Sequence, residues 1–416
     1  MITKIKEKFI NHKVLIENFS SLSILQILNI LIPLLTYPYL VRVLGSEYYG
    51  LIIFARAIIK YFNIIVSFGF NIIATKEISV HRNNSNKISE IVSSIFILKG
   101  SLFILSLLIL SVLLYFIPQA QGYKPLFYLT MWVCFYEFIF PVFYFQGIEK
   151  MKYITYFTLV SRLIFVFLIF LLIKSKSDYL LLPVINGIGA LTAGIISVIF
   201  VLKDGVKFKV QSISTLCYYI KCSYIMALAN ASNAFKSNFN IILIKMFFSF
   251  SMVAYFDLAS KITDIGKTFL DLISRTIYPK MSREKNTSFL KKIIKLSVAA
   301  SVCYVLFIQM FANQLVMFLG GEEMLPSVEI LRVLIFFVPI YIIGALLGRN
   351  CLIVHGFDKY ILYGMVYSSL FHLFLFGCYY LMGFDMSLIV IALILIFSFT
   401  FETTYRFIIC KAKKIL

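Results

Sequence analysis

The sequence lacks any long polar stretch between its apolar segments. Each break is far shorter than the about 50 residues that the smallest ordinary domains need. No loop therefore has room for a separate catalytic domain outside a membrane. We find no credible nucleophile triad and no carboxylate motif for glycosyl transfer in a loop, so the sequence does not predict an enzyme.

Acidic residues are also scarce, with 19 Asp and Glu against 39 Lys and Arg and a formal net charge of +20. Such a balance can indicate a nucleic-acid partner, but here the basic residues collect in alternate loops, which is a topology signal. The seven cysteines are scattered, without metal-ligand spacing or an evident disulfide framework. We predict no metal site, no cofactor and no nucleic-acid partner.

Apolar residues dominate instead, with 61% hydrophobic and 17% aromatic side chains. Apolar windows of about 20 residues recur along the chain, and each is long enough to cross a bilayer as a helix. The sequence therefore predicts an all-α polytopic membrane protein. The twelve predicted spans are roughly 18–41, 48–74, 91–117, 123–146, 153–173, 179–202, 219–245, 251–279, 293–319, 327–354, 360–382 and 386–408.

Basic residues outside these spans lie mainly on the side of the N terminus. The opposite side carries only Arg42, Lys124, Lys174, Lys176 and Lys245. Because positive residues favour the cytoplasmic side, both termini are predicted to be cytoplasmic.

The chain also resembles itself across its middle. Gln26 and Asn29 of the first span align with Asn230 and Asn233 of the seventh, and Lys60 aligns with Asp264 at the same offset. Six spans per repeat give both halves the same orientation in the membrane. We predict two pseudo-symmetric six-helix bundles, 1–205 and 206–416, whose polar faces line a central cavity.

One polar stripe is the strongest signal in the chain, and it lies in the eighth span. At about 100° per residue its members fall within an arc of about 80°, and at about 1.5 Å per residue they extend for about 27 Å. Charges at membrane depth usually face a bundle interior, a partner or water. We expect them to line a wet cavity rather than a membrane surface. The stripe consists of Asp257, Lys261, Asp264, Thr268, Asp271 and Arg275.

A second stripe, in span 2, is cationic and amide-rich; it contains Arg56, Lys60, Asn63, Ser67 and Asn71 at helical spacing.

Other ionisable groups inside the spans are weaker signals. Lys99, Arg332 and Glu402 lie near span ends and are expected to reach the interface. Arg162 is more central, and pairing with an acidic residue explains it equally well. His372 is interpreted as a hydrogen-bonded packing residue rather than a ligand.

Four segments resemble a known family. Residues 38–50 resemble the junction of spans 1 and 2 in bacterial polysaccharide exporters of the Wzx type, and 74–79 resemble the loop that follows. Residues 140–151 resemble the end of their fourth helix, and 318–323 resemble the turn after their ninth. The matches are in order and cover most of the chain. At position 76 the family has Arg more often than the Lys found here.

The resemblance implies that the chain flips undecaprenyl-diphosphate-linked oligosaccharides from the cytoplasmic to the periplasmic leaflet, for O-antigen or capsule synthesis. The lipid bilayer and, as candidate partners, a polysaccharide polymerase and a chain-length regulator follow from it. We expect the diphosphate to bind Arg56, Lys60, Lys261 and Arg275, and the sugars to bind Asn29, Asn230 and Asn233. Asp257, Asp264, Asp271 and Glu137 are expected to form ion pairs or couple transport to H⁺ or Na⁺.

Two alternatives remain open at this point. A cation-coupled multidrug extruder of the same fold would have a more carboxylate-rich pocket than the cationic span 2 predicts. A membrane polysaccharide polymerase or ligase would be expected to carry a large periplasmic loop, which this sequence does not have.

Overall fold

The computed structural model describes the backbone of residues 2–116 and 118–415. The side chains of residues 2–23, 27, 30, 117–120, 233, 236 and 237 lie outside the described ones. The regular structure of the described ranges is helical, in α1 (Ile2–Ser67), α2 (Phe70–Val80), α3 (Ser85–Phe116), α4 (Lys124–Thr130), α5 (Trp132–Ile139), α6 (Val142–Gly147), α7 (Lys152–Leu172), α8 (Leu181–Lys203), α9 (Ile213–Phe247), α10 (Phe250–Glu284), α11 (Thr287–Gly320), α12 (Ser327–Leu334), α13 (Phe337–Leu347), α14 (Asp358–Leu381) and α15 (Leu388–Ala412).

In the described part of the chain, nine segments are long and apolar enough to cross a membrane. One of them, Ile24–Val80, contains both of the first two predicted spans, which are separated by non-helical backbone at Gly45 (φ 75°, ψ 167°). The remaining two spans are α9 and α10. Helix α10 carries too many charges to count as apolar, and some side chains of α9 are outside the described set. The prediction of an all-α polytopic membrane protein with about twelve spans is confirmed.

The helices pack into two compact units. Unit 1 contains Met1–Leu44 and Ala55–Ala231, and unit 2 contains Gly45–Phe54 and Ser232–Leu416. The short segment belongs to unit 2 because the Ser46 amide and hydroxyl both bond to groups of that unit, each over 2.9 Å. The predicted boundary between residues 205 and 206, and the equivalence of helices between halves, stay predictions.

Span 2 is broken where the sequence pattern predicted one continuous helix. Phe68 (φ 41°) and Gly69 (φ 74°) adopt left-handed backbone between α1 and α2. Glycine adopts this conformation without steric cost. A Cβ at Gly69 would also lie 2.7 Å from the Cβ of Met226, so the break allows α9 to approach closely. The break turns the polar residues after it in a new direction.

The glycines of α8 pack against neighbouring helices, as expected from their place inside an apolar span. A Cβ at Gly187 would lie 2.6 Å from the Trp132 ring, and one at Gly189 would lie 2.8 Å from the Ser161 carbonyl oxygen. Small residues permit such close approach between membrane helices. These glycines therefore act as packing residues between membrane helices.

Candidate functional site

The second half of α1 carries the cations of span 2 and is fixed against α5. The Cys134 thiol donates to the Ile59 carbonyl oxygen over 3.7 Å, and the Asn63 amide donates to the Val133 carbonyl oxygen over 3.3 Å. Arg56 is half-buried and Lys60 is exposed, and Lys60 acts electrostatically on Cys134. The helix therefore holds Lys60 beside α5.

Arg162 adds a third cation from a different helix. It lies midway along α7, about 15 Å from either end at 1.5 Å per residue, which corresponds to the middle of a bilayer core. Its charge interacts with that of Arg56. Among the described residues, no carboxylate lies within ion-pair distance of Arg56, Lys60 or Arg162. We call these three side chains the cation row.

An uncompensated cation at membrane depth is costly and marks a functional site by default. Three of them in one unit need water or an anion beside them, because burial of an isolated charge costs several kcal/mol or more. The cation row therefore suits a ligand that carries more than one negative charge. From the sequence, pairing with an acidic residue was an equally good explanation for Arg162; the described residues do not provide that pairing.

Lys99 in the same unit differs, because it is fully paired. The side chain is 1% exposed, and its ammonium donates to Glu137 Oε1 over 2.7 Å and to Asn71 Oδ1 over 2.9 Å. The Asn71 amide also donates to Glu137 Oε1 over 2.9 Å. The expectation that Lys99 reaches the interface is wrong, since tertiary packing encloses it. Asn71 follows the break after Ser67 and joins this buried network rather than a free polar face.

Glu402 also differs from the expectation, for the same reason. It is 4% exposed and pairs with Arg406 one turn later, while Arg406 Nη1 donates to the Gly344 carbonyl oxygen over 2.8 Å. The pair joins α15 to α13 inside unit 2. Arg332 is exposed, which agrees with its expected position at an interface.

Helix α10 of unit 2 carries the predicted stripe on one continuous helix, as expected. Lys261 pairs with Asp257 one turn earlier, and its ammonium donates to the Tyr49 hydroxyl over 2.7 Å. The ammonium also lies 5.2 Å from the centroid of the Tyr49 ring, within cation–π distance. Tyr49 is 3% exposed. The charge of Lys261 is thus compensated within unit 2.

Asp264 does not share Lys261, although the spacing allowed it. It pairs with Lys267, which lies outside the predicted stripe. The Lys267 ammonium is 5.2 Å from the Tyr341 ring centroid and 5.6 Å from that of Phe337. Lys267 thus contacts both Asp264 and two aromatic rings of α13.

Asp271 binds two arginines at once. Its carboxylate accepts from Arg275 Nε over 2.7 Å and from Arg349 Nη1 over 2.9 Å, and it is 6% exposed. Arg349 also donates to the Ser274 hydroxyl over 3.1 Å. It stands on a π-helical turn, Gly348–Leu352, a feature frequent at functional sites. Arg349 was not among the predicted site residues; an arginine inside an apolar span was its only signal.

The predicted sugar-binding amides are less informative. Asn29 and Asn230 are exposed, and the side chain of Asn233 lies outside the described ones. The assignment of these three residues to sugars stays a prediction.

The ends of spans in unit 1 are joined by polar contacts outside the membrane-spanning segments. Arg82 donates to the Gly147 carbonyl oxygen over 2.9 Å and pairs with Glu149 at 2.5 Å. The hydrogen bond from Arg82 holds the pKa of the Glu149 carboxyl below its ordinary value. Lys150 and Asp204 pair at 3.4 Å close by. These contacts hold residues 146–150 in place, and these residues belong to segment 140–151, which resembles the exporter family.

The helical arrangement is shared with solved membrane transporters. An inward-facing multidrug resistance MATE family transporter of the MOP superfamily matches with a TM-score of 0.71 and 14% identity, over 93% of this chain and 98% of that one. The lipid II flippase MurJ, in an inward closed conformation, matches with a TM-score of 0.73 and 16% identity, over 95% and 87%. The chain is a multi-pass membrane protein with the fold of these transporters.

The sequence comparisons identify the family. The model of a family described as "Polysaccharide biosynthesis protein" matches residues 15–285. The chain belongs to this family, so the resemblance to Wzx-type exporters is confirmed. Two relatives carry the name "Putative O-antigen transporter". The one from Escherichia coli strain K12 is 26% identical over 82% of this chain and 84% of its own length; the one from Shigella dysenteriae is 24% identical over 83% and 88%.

Proposed function

We propose that the chain is a flippase that moves undecaprenyl-diphosphate-linked oligosaccharide repeat units from the cytoplasmic to the periplasmic leaflet. The observation that carries the proposal is the cation row in unit 1, which has no described carboxylate partner and includes Arg162 midway along the membrane-spanning helix α7. The family and its relatives support the same cargo class. They also favour a transporter over an enzyme.

The cargo has a polar head, the diphosphate and sugars, and an apolar polyprenyl tail, and the two require different surroundings. Its diphosphate and sugars cannot cross hydrocarbon unaided, because charge and hydroxyl groups would lose their hydration. Guanidinium groups bind phosphate oxygens through paired, charge-assisted hydrogen bonds. In this mechanism Arg56, Lys60 and Arg162 take over the hydration of the diphosphate, while the polyprenyl tail stays in lipid.

The cations of unit 2 are already paired, so they would bind a phosphate by exchanging their carboxylate partners for it. When the diphosphate arrives, Lys261 can leave Asp257 for a phosphate oxygen, and Arg275 can leave Asp271 in the same way. The freed carboxylates, together with Asp264, then become available to H⁺ or Na⁺. Glu137 stays with Lys99 as an ion pair. Asn29, Asn230 and Asn233 are assigned to sugar hydroxyls.

The proposal places the protein in the bacterial cytoplasmic membrane with both termini in the cytoplasm. The excess of basic residues on the N-terminal side supports this orientation. A polysaccharide polymerase and a chain-length regulator are the expected protein partners, since they would use the flipped repeat unit. Labelling of single cysteines introduced at Lys285 tests the orientation.

A multidrug extruder of the same fold is the second candidate, because the MATE transporters share the architecture. Uncompensated cations disfavour it, since they would repel cationic drugs. A reconstituted assay decides between the two. Proteoliposomes with defined undecaprenyl-diphosphate glycans should show flipping that is lost in an Arg56→Gln, Arg162→Gln double variant and kept in Arg332→Gln. Transport of cationic drugs without glycan flipping would overturn the proposal.

A further inference from the structure

A histidine in unit 2 is enclosed by hydrogen bonds that the mechanism above does not use. His372 of α14 is 0% exposed. Its Nδ1 lies 3.0 Å from the Ser398 hydroxyl of α15, and its Nε2 lies 3.1 Å from Asn240 Oδ1 of α9. The Phe239 ring stands edge-on to the imidazole at 6.2 Å. One ring thus joins three helices.

The charge of the His372 ring is linked to the orientation of the Asn240 amide. The Ser398 hydroxyl donates its only proton to the Ile394 carbonyl oxygen over 2.6 Å, so towards His372 it can only accept. Asn240 Oδ1 is an acceptor as well. With the amide in this orientation both ring nitrogens face acceptors, and a ring with two N–H groups, an imidazolium, satisfies both.

The same residues also accommodate the neutral ring. Asn240 Nδ2 is buried and makes no hydrogen bond among the described residues. A half-turn of the amide would place Nδ2 against Nε2, which then accepts, while Nδ1 still donates to Ser398. The group left over would be a carbonyl oxygen, which proteins leave unpaired more readily than an N–H. Each protonation state of His372 thus has a fully bonded ring.

We propose that His372, Asn240 and Ser398 form a proton-binding site, in which a proton added to Nε2 of His372 turns the Asn240 amide. The proposal rests on the proposed flippase function, because it adds a proton-binding residue to the carboxylates of α10 that would couple transport to an ion. The proton determines which atoms connect α14 to α9. A second contact between the two helices, from the Ser369 hydroxyl to the Ser232 carbonyl oxygen, is 3.2 Å long and contains no titratable group.

Charged groups on the three helices must be considered beside this site. On α15, Glu402 stands one turn after Ser398 and is paired with Arg406. On α9, the Lys245 ammonium donates to the Phe248 carbonyl oxygen over 3.3 Å, beyond Asn240 in the chain. Lys236 precedes Asn240 by one turn, and its side chain is outside the described ones. Tyr367 and Cys378 are the titratable groups nearest to His372 in sequence on α14.

Nitrogen NMR tests the site without any cargo. The chain has four histidines, so a ¹⁵N-histidine-labelled sample gives few ring signals, and a His372→Gln sample identifies the one of interest. The expected result is two protonated nitrogens at low pH and one at high pH, within about pH 5 to 8, where histidine commonly changes charge. A single neutral tautomer over this whole range would overturn the proposal.

Transport under an imposed pH gradient tests whether the proton-binding site takes part in transport. Wild-type proteoliposomes should flip the lipid-linked glycan faster with a gradient than without one. His372→Gln should lose that response, and His355→Gln, a matched change of a histidine that bonds the Cys351 carbonyl oxygen, should keep it. Should His372→Gln fail to insert, Asn240→Asp replaces it: its carboxylate would hold the imidazolium, and the response should again be lost.

The outcomes separate the two proposals. Flipping by the wild type with no effect of the gradient, or a gradient response that persists in the tested variant, overturns the proton site and leaves the flippase intact. Absence of glycan flipping by the wild type overturns the flippase function, and the NMR titration then decides the proton site by itself.

Discussion

The two units differ in how the cations inside their membrane spans are compensated. In unit 1, Arg56, Lys60 and Arg162 have no described carboxylate within ion-pair distance. In unit 2, three cations of α10 have carboxylates one turn away, in the pairs Lys261–Asp257, Lys267–Asp264 and Arg275–Asp271. Both stripes follow helical spacing, yet one has a net positive charge and the other is nearly neutral.

This difference assigns different roles to the units. A net positive row is stable at membrane depth only with water or an anion beside it. A paired stripe is stable alone and can exchange partners when an anion arrives. Under the proposed function, unit 1 supplies the affinity for diphosphate and unit 2 supplies a reversible response. The following variants test that division, from the largest expected effect to the smallest.

Removal of the cation row should have the largest effect on export. The Arg56→Gln, Arg162→Gln double variant should reduce surface glycan about 100-fold or more, since each lost charge-assisted hydrogen bond contributes about 1.5–3 kcal/mol. Its thermal stability should not fall, because no described ion pair is broken. Surface glycan is measured in cells lacking the chromosomal copy and normalised to inserted protein. Export at the wild-type level would show that the row is not a binding site.

Substitution of Lys261 should have a smaller but clear effect. Lys261→Ala should reduce export about tenfold, and Lys261→Arg should retain much of it because the charge remains. Asp264→Asn should leave binding intact and disturb release, since Asp264 pairs with Lys267 rather than with Lys261. The same normalised glycan assay applies. Full export by Lys261→Ala would show that the stripe has only a structural role.

The Lys99–Glu137 pair should affect stability rather than recognition. Glu137→Gln leaves a buried ammonium without its carboxylate, and breaking a buried pair in this way costs about 3–5 kcal/mol. Replacement of both residues by Met and Leu should restore much of the loss. Thermal unfolding in detergent measures this. A stable Glu137→Gln variant with poor export would instead place Glu137 in the transport machinery.

The contact between Arg82 and Glu149 should have the smallest effect. Because the pKa of Glu149 is lowered in the folded protein, the contact stabilises above the ordinary carboxyl pKa and is lost as the pH falls through the lowered value. Both groups are partly exposed, so screening keeps the effect small. Unfolding temperatures of wild type and Arg82→Gln should converge on acidification. A constant difference at all pH values would contradict the assignment.

The sequence predicted those features that depend on local pattern. Span lengths and the α10 stripe follow from hydropathy and helical period, which neighbouring residues determine. The partners of Lys99 and Asp271 depend on which helices meet, and a single chain does not encode that in its spacing. The break before Asn71 had one local signal: Gly69 inside an apolar run, which can mark an interruption.

Binding of the anionic lipid tests the central claim most directly. The affinity of the purified protein for undecaprenyl diphosphate is compared with that for undecaprenol, which has the same tail and no phosphate. Wild type and Lys261→Ala should both prefer the diphosphate, and the Arg56→Gln, Arg162→Gln variant should lose most of that preference. Undiminished preference in the double variant, with loss in Lys261→Ala, would place the diphosphate site in unit 2 and contradict the division of roles.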